Sequence, residues 1–148
     1  MKEIKKVLVP VDFSPNAAKV LESARFVAGK CGAELYVIFV VQSFDDYSGF
    51  FVPHIPLAQF EEEMITGARN KLDKFLEENM PEEEPCHSEV TMGEVPTEIV
   101  AYAEKIGADM VAMGTHGYKG LESVLFGSVA AKVVRNAPCP VLTINPYR

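Results

Sequence analysis

Apolar runs alternate with stretches of helical period along the whole chain. Val7–Val11 (VLVPV) and Leu35–Val41 (LYVIFVV) are almost unbroken apolar runs. A strand covered by helices on both faces buries both of its alternating side-chain sets, so it reads as such a run. Five strands are predicted, at Lys5–Val11, Ala33–Val41, Cys86–Thr91, Met110–Met113 and Val141–Ile144. Helices are predicted from Pro15 to about Lys30, and at Leu57–Asn79, Pro96–Ile106 and Gly127–Asn136. Repeated βα units of this kind build a parallel sheet with helices on both faces, and the two longest apolar runs belong in its middle.

The helix ends carry their own signals. Ala17, Val20, Leu21, Ala24, Val27 and Ala28 recur at three- and four-residue spacing. Ser14 is the expected N-cap, Pro15 the expected first helical residue, and Gly32 the stop. Pro96 opens the third helix, while Gly107 and Pro138 lie just past the third and fourth. Val129, Ala130, Val133 and Val134 form the expected core face of the fourth. Residues 42–56 have four aromatics, two prolines and no period. They are expected to form a long loop, either tucked on the surface or serving as a lid or partner surface.

The 148 residues are enough for one domain with a packed core, 1–148, without disulfides or structural metals. No apolar run approaches the ~20 residues that cross a bilayer. The start, MKEIKKVLVPVD, reaches Asp12 before a signal-peptide core can form. A cytoplasmic protein with no membrane partner is expected. Cys31, Cys86 and Cys139 are odd in number and contain no CxxC, so they are expected to be small buried thiols. His54 and His87 have no ligand-spaced partners and are not expected to bind metal, His87 decorating the third strand.

The net charge of −7 is concentrated: Glu61 to Glu84 holds nine acids and three bases, leaving twelve acids and eleven bases elsewhere. The acidic segment is expected to be a solvated helix face and the loop after it. The nearly neutral remainder can still hold an anion, but no basic footprint for nucleic acid is present.

In open parallel α/β sheets, ligands bind beyond the carboxyl ends of the strands. The first strand ends in Asp12, Phe13, Ser14 and Pro15, which lack the glycines of a dinucleotide fingerprint, and no GxxxxGK[ST] phosphate loop occurs in the chain. The fourth strand instead ends in Gly114-Thr-His-Gly117-Tyr-Lys-Gly120, and Gly127 and Ser128 follow at a helix start. Glycines allow close backbone approach, and a helix start offers unpaired N–H groups and a positive dipole end. The segment therefore suits phosphates, or serves only as a tight connection.

Here the chain resembles the universal stress protein family along essentially its whole length. Gly114, Gly117, Gly127 and Ser128 reproduce the Gly-x2-Gly-x9-Gly-Ser pattern of that family's ATP-binding subgroup, and VLVPVDFS and APCPVLTI are similar to its opening and ending. The resemblance implies a five-stranded parallel sheet in the order 3-2-1-4-5, Rossmann-like and similar to the adenine nucleotide alpha hydrolases. It also implies ATP in the crevice between strands one and four. By similarity Pro10, Val11 and Asp12 lie along the adenosine, and Val40 or Val41 offers backbone to the base. Met113, Gly114, His116 and Gly117 approach ribose and phosphates, and Gly127, Ser128 and Val129 hold the phosphates. Asp12 is also the residue placed to help position Mg2+. His116 and Lys119 stand where many members have a more basic loop.

The function expected is an ATP-binding regulatory module of stress response, with an unidentified protein partner. A homodimer through the Val141–Ile144 edge is also expected. A nucleotide-free structural dimer and a slow ATPase are the alternatives, since no residue set resembles an efficient hydrolytic site. Transfer-enzyme histidine motifs are absent, and the third strand ends in Thr91-Met-Gly93 without the acceptor aspartate of a phosphorylation receiver.

Overall fold

The computed structural model describes residues 3–42, 57–115 and 127–147. The strands are β1 (Lys6–Pro10), β2 (Glu34–Gln42), β3 (Cys86–Gly93), β4 (Met110–Gly114) and β5 (Val141–Ile144). The helices are α1 (Ala17–Cys31), α2 (Leu57–Asn79), α3 (Val95–Ile106) and α4 (Ser128–Asn136). All four strand pairings are parallel and the order is β3-β2-β1-β4-β5. The two apolar runs therefore do occupy interior positions.

Alternation along the strands sorts the core into two layers. Val7 and Val9 of β1, Val11 just beyond it, and Val37 and Val41 of β2 pack under α1 and α2, against Leu21, Ala24 and Leu72. Leu8, Ile38, Val40, Val111 and Met113 point the other way, under Ile99 and Ala103 of α3 and Ala130 and Val133 of α4. Leu8, Leu21, Ile38 and Leu72 are fully buried. Truncating such a residue to alanine removes transfer energy and leaves a cavity, costing about 2–5 kcal/mol. Gly32 and Gly107 end α1 and α3 in the left-handed conformation, at φ 65° and 66°. That conformation is why these stops are glycines.

The amino end of the sheet is closed by structural bonds. Lys5 and Lys6 donate their backbone N–H groups to Asp109 Oδ2 at 2.9 and 3.0 Å, and Lys6 Nζ donates to the Ile106 carbonyl at 2.9 Å.

Four expectations need correction. Ser14 does not cap α1: the helix starts at Ala17 behind Asn16, which makes no side-chain capping bond. A turn over residues 12–16 takes up the residues meant for the first helical turn, and it is the backbone carbonyl of Ser14 that accepts from Ala17 N–H, at 3.0 Å. Val134 is 48% exposed, because α4 turns only Ala130 and Val133 fully into the core. Cys31 is exposed at the end of α1, and Cys86 and Cys139 are half-buried. Strand β3 runs two residues past Thr91. The acidic residues of α2 and the following turn are largely exposed, as expected. Of the segment 42–56, Gln42 belongs to β2 and 43–56, with His54, lies outside the described residues. No described helix is long and apolar enough to cross a membrane.

Candidate nucleotide site

The carboxyl ends of β1 and β4 are neighbours, and the chain leaves them toward opposite faces of the sheet, β1 to α1 and β4 to α4. This divergence opens a crevice. Pro10 is the last residue of β1, and Val11 continues the ladder by donating its N–H to the Ile38 carbonyl at 3.0 Å. At Asp12 the chain turns away, with Oδ1 accepting the Ser14 N–H at 3.0 Å. Phe13 lies between them at φ 58°, the one described non-glycine residue with positive φ.

Strand alternation distinguishes Val40 from Val41. A strand residue's N–H and C=O point to the same side, and the side changes at every residue. The Ile38 carbonyl faces β1, so the backbone groups of Val40 face the same way, just past the end of β1. Those of Val41 turn to β3, with which Val41 pairs opposite Met92. Val40 thus presents one donor and one acceptor to the crevice.

On the other side, β4 ends in buried Met113 and half-buried Gly114. Thr115, 9% exposed, donates its N–H to the Ile144 carbonyl at 2.9 Å, and its own carbonyl accepts the Gly127 N–H at 2.9 Å. Gly127 is the N-cap of α4, with φ −63° and ψ 157°. The α4 ladder begins where Ala131 donates to the Gly127 carbonyl at 3.1 Å. The N–H groups of Ser128, Val129 and Ala130 come before it, at the positive end of the helix. Gly127 adds no side chain in front of them, and Ser128 is exposed.

Pro10, Val11, Asp12, Val40, Met113, Gly114, Gly127, Ser128 and Val129 therefore all lie at the carboxyl end of the sheet or at the start of α4. His116, Gly117 and Lys119 lie outside the described residues. Among the described residues no group of three or more His, Cys, Asp or Glu could hold a metal, so a cation at Asp12 would need oxygens from a ligand. Two features escaped the sequence. Thr115 serves as a backbone strut to both β5 and α4, and the conformation of Phe13 has no signal in the residue type.

The universal stress protein family model matches residues 3–145. The chain belongs to this family. Universal stress protein MJ0531 of Methanocaldococcus jannaschii is 36% identical over 148 residues, covering 95% of this chain and 82% of that protein. The solved structure of MJ0577, from the same organism, superposes with a TM-score of 0.80 at 25% identity, covering 97% of each chain. Two more distant universal stress protein structures share the fold. One, in complex with cAMP, has a TM-score of 0.60 at 19% identity and covers 98% of this chain and 99% of that one. The other, from Archaeoglobus fulgidus in complex with dAMP, has a TM-score of 0.58 at 22% identity and covers 97% and 100%.

Proposed function

We propose that this universal stress protein binds ATP in the crevice between β1 and β4 and acts as a nucleotide-dependent regulatory module in stress response. The observation that carries the reading is the start of α4. Thr115 holds the side-chain-free Gly127 at the start of α4, ahead of the Ser128, Val129 and Ala130 N–H groups and the Ser128 hydroxyl. Such an end is an anion site by geometry and dipole together. Phosphates there put the base toward Val40, whose N–H and C=O form a donor and acceptor pair. Adenine offers the complement, a ring nitrogen and an amino group on one edge. Relatives solved with cAMP and dAMP agree with an adenine nucleotide as the ligand class.

Asp12 fits a supporting role. One carboxylate oxygen is used by Ser14 N–H. Beside polyphosphate the carboxylate would be repelled unless a cation joined it, and Asp12 would be the residue to help hold Mg2+, a hard cation that suits oxygen ligands. Met113, Gly114, His116 and Gly117 complete the proposed ribose and phosphate wall.

The protein is proposed to act as a cytoplasmic homodimer through β5, the end strand of the sheet, which among the described residues pairs only with β4. A groove of about 520 Å³ lies beside it, lined by apolar residues such as Phe26 and Ile144 and by the polar Lys19, Glu22 and Asn145. Calorimetric titration with Mg-ATP tests the nucleotide assignment. Measurable binding supports it, and no binding at millimolar ATP returns the chain to the nucleotide-free structural dimer.

A further inference from the structure

Phe13 holds a backbone conformation that L-residues with large side chains rarely adopt, φ 58°, in the turn that carries Asp12. In that region Cβ crowds the following carbonyl, so the residue stays there only if its surroundings hold it. The holding contacts are visible. Its ring lies 4.3 Å, centroid to centroid, from that of Phe39 on β2, and 6.2 Å from that of Phe75 on α2, edge to face. Phe39 is the residue before Val40. The ring therefore ties the Asp12 turn to the strand position next to the proposed base-reading backbone. In the same turn Asp12 Oδ1 accepts Ser14 N–H, and the Ser14 carbonyl accepts Ala17 N–H at the start of α1.

We infer that Phe13 is a positioning residue for the nucleotide site: its ring, seated on Phe39 and Phe75, holds the turn left-handed and so fixes the direction of the Asp12 carboxylate relative to Val40. The ring is the anchor and the backbone angle is what reaches the ligand. A glycine in its place would allow the same angle without cost, whereas an alanine would retain the steric cost and lose the anchor. The inference deepens the nucleotide reading and rests on it for its effect on affinity, but the turn geometry can be tested without ligand.

The test compares Phe13→Ala with Phe13→Gly, since both lack the ring and only alanine bears the steric cost of the left-handed angle. In the ligand-free protein, Ser14 amide hydrogen exchange should speed up in both variants, and by more in Phe13→Ala than in Phe13→Gly. In Mg-ATP titrations Phe13→Ala should weaken binding by about tenfold, the factor matching the left-handed cost of an unheld residue, and Phe13→Gly by less than about threefold. Phe13→Tyr keeps the ring and should rescue both readouts. The loss in Phe13→Ala should vanish in an Asp12→Ala background if Phe13 acts through Asp12. Phe75→Leu, which loosens the ring seat without touching the turn, serves if the residue-13 variants unfold, and should also speed Ser14 exchange. Equal behaviour of the alanine and glycine variants, or losses that add to Asp12→Ala, would show simple core filling and overturn the inference. If the wild type binds no ATP, the nucleotide reading falls, while Ser14 exchange still decides whether the ring holds the turn.

Discussion

The Gly127 N–H donates to the Thr115 carbonyl at 2.9 Å, joining the end of β4 to the start of α4. The Thr115 N–H in turn donates to Ile144 of the edge strand, also at 2.9 Å. The proposed phosphate site is thus tied by two backbone bonds to the strand proposed to pair in the dimer.

The backbone at Gly127 is extended, φ −63° and ψ 157°, so any residue adopts it. Gly127→Val should therefore keep the fold, with a little-changed circular dichroism spectrum and a small stability loss from a poorer N-cap. Its branched side chain would stand before the Ser128–Ala130 amides. Losing two or three charge-assisted contacts, about 1.5–3 kcal/mol each, weakens ATP affinity at least about a hundredfold. Ser128→Ala removes one hydroxyl and should lose much less. Titration calorimetry on the two variants checks the order.

Thr91 Oγ1 is buried without a hydrogen-bond partner among the described residues. Thr91 pairs with Val40 in the β2–β3 register, so its side chain shares the α3 face. Replacing an unsatisfied hydroxyl by a methyl group of similar shape removes its desolvation penalty. Thr91→Val should stabilise the protein by about 1 kcal/mol, seen as a higher urea midpoint at unchanged slope. A lower midpoint would mean that the hydroxyl has a partner in solution.

Arg25 and Glu84 form a two-bond fork at 2.9 and 2.8 Å that ties α1 to the turn before β3. The guanidinium's hydrogen bond holds the Glu84 carboxyl below its ordinary value, and the Arg25 pKa is raised in return. A depressed carboxylate stabilises the fold above its ordinary pKa of 4.5 and stops doing so as pH falls through its folded value. The stability gap between wild type and Arg25→Gln should therefore be present at neutral pH and close in acid. Both groups lie near solvent, so the gap should be small and shrink with salt. Urea titrations across that pH range measure it.

Edge pairing predicts that light scattering at tens of micromolar gives twice the 16.3 kDa chain mass. A mass of 16.3 kDa alone would remove the β5 dimer.

The sheet was readable because buried strands announce themselves. Val7–Val11 and Leu35–Val41 could only be interior, and the glycines at 32 and 107 marked real helix ends. Capping at Ser14 was not readable, because serine suits a turn as well as a helix cap, and residue type alone does not choose between them. Val134 shows the same limit: a period of 3.6 residues gives a face but not its width. Of the proposed site, the glycine spacing was visible in the chain. The proposal of Val40 over Val41 rests on the β1–β2 register, which residue types alone do not specify.

The central claim is that the α4 start and the β1–β4 crevice hold ATP. Calorimetric titration of the wild type with Mg-ATP, beside folded Gly117→Val and Gly127→Val variants, tests it most directly. The account predicts saturable one-site binding by the wild type, weakened at least about a hundredfold in each variant. No heat of binding at millimolar ATP, or folded glycine variants that bind as well as the wild type, would contradict it.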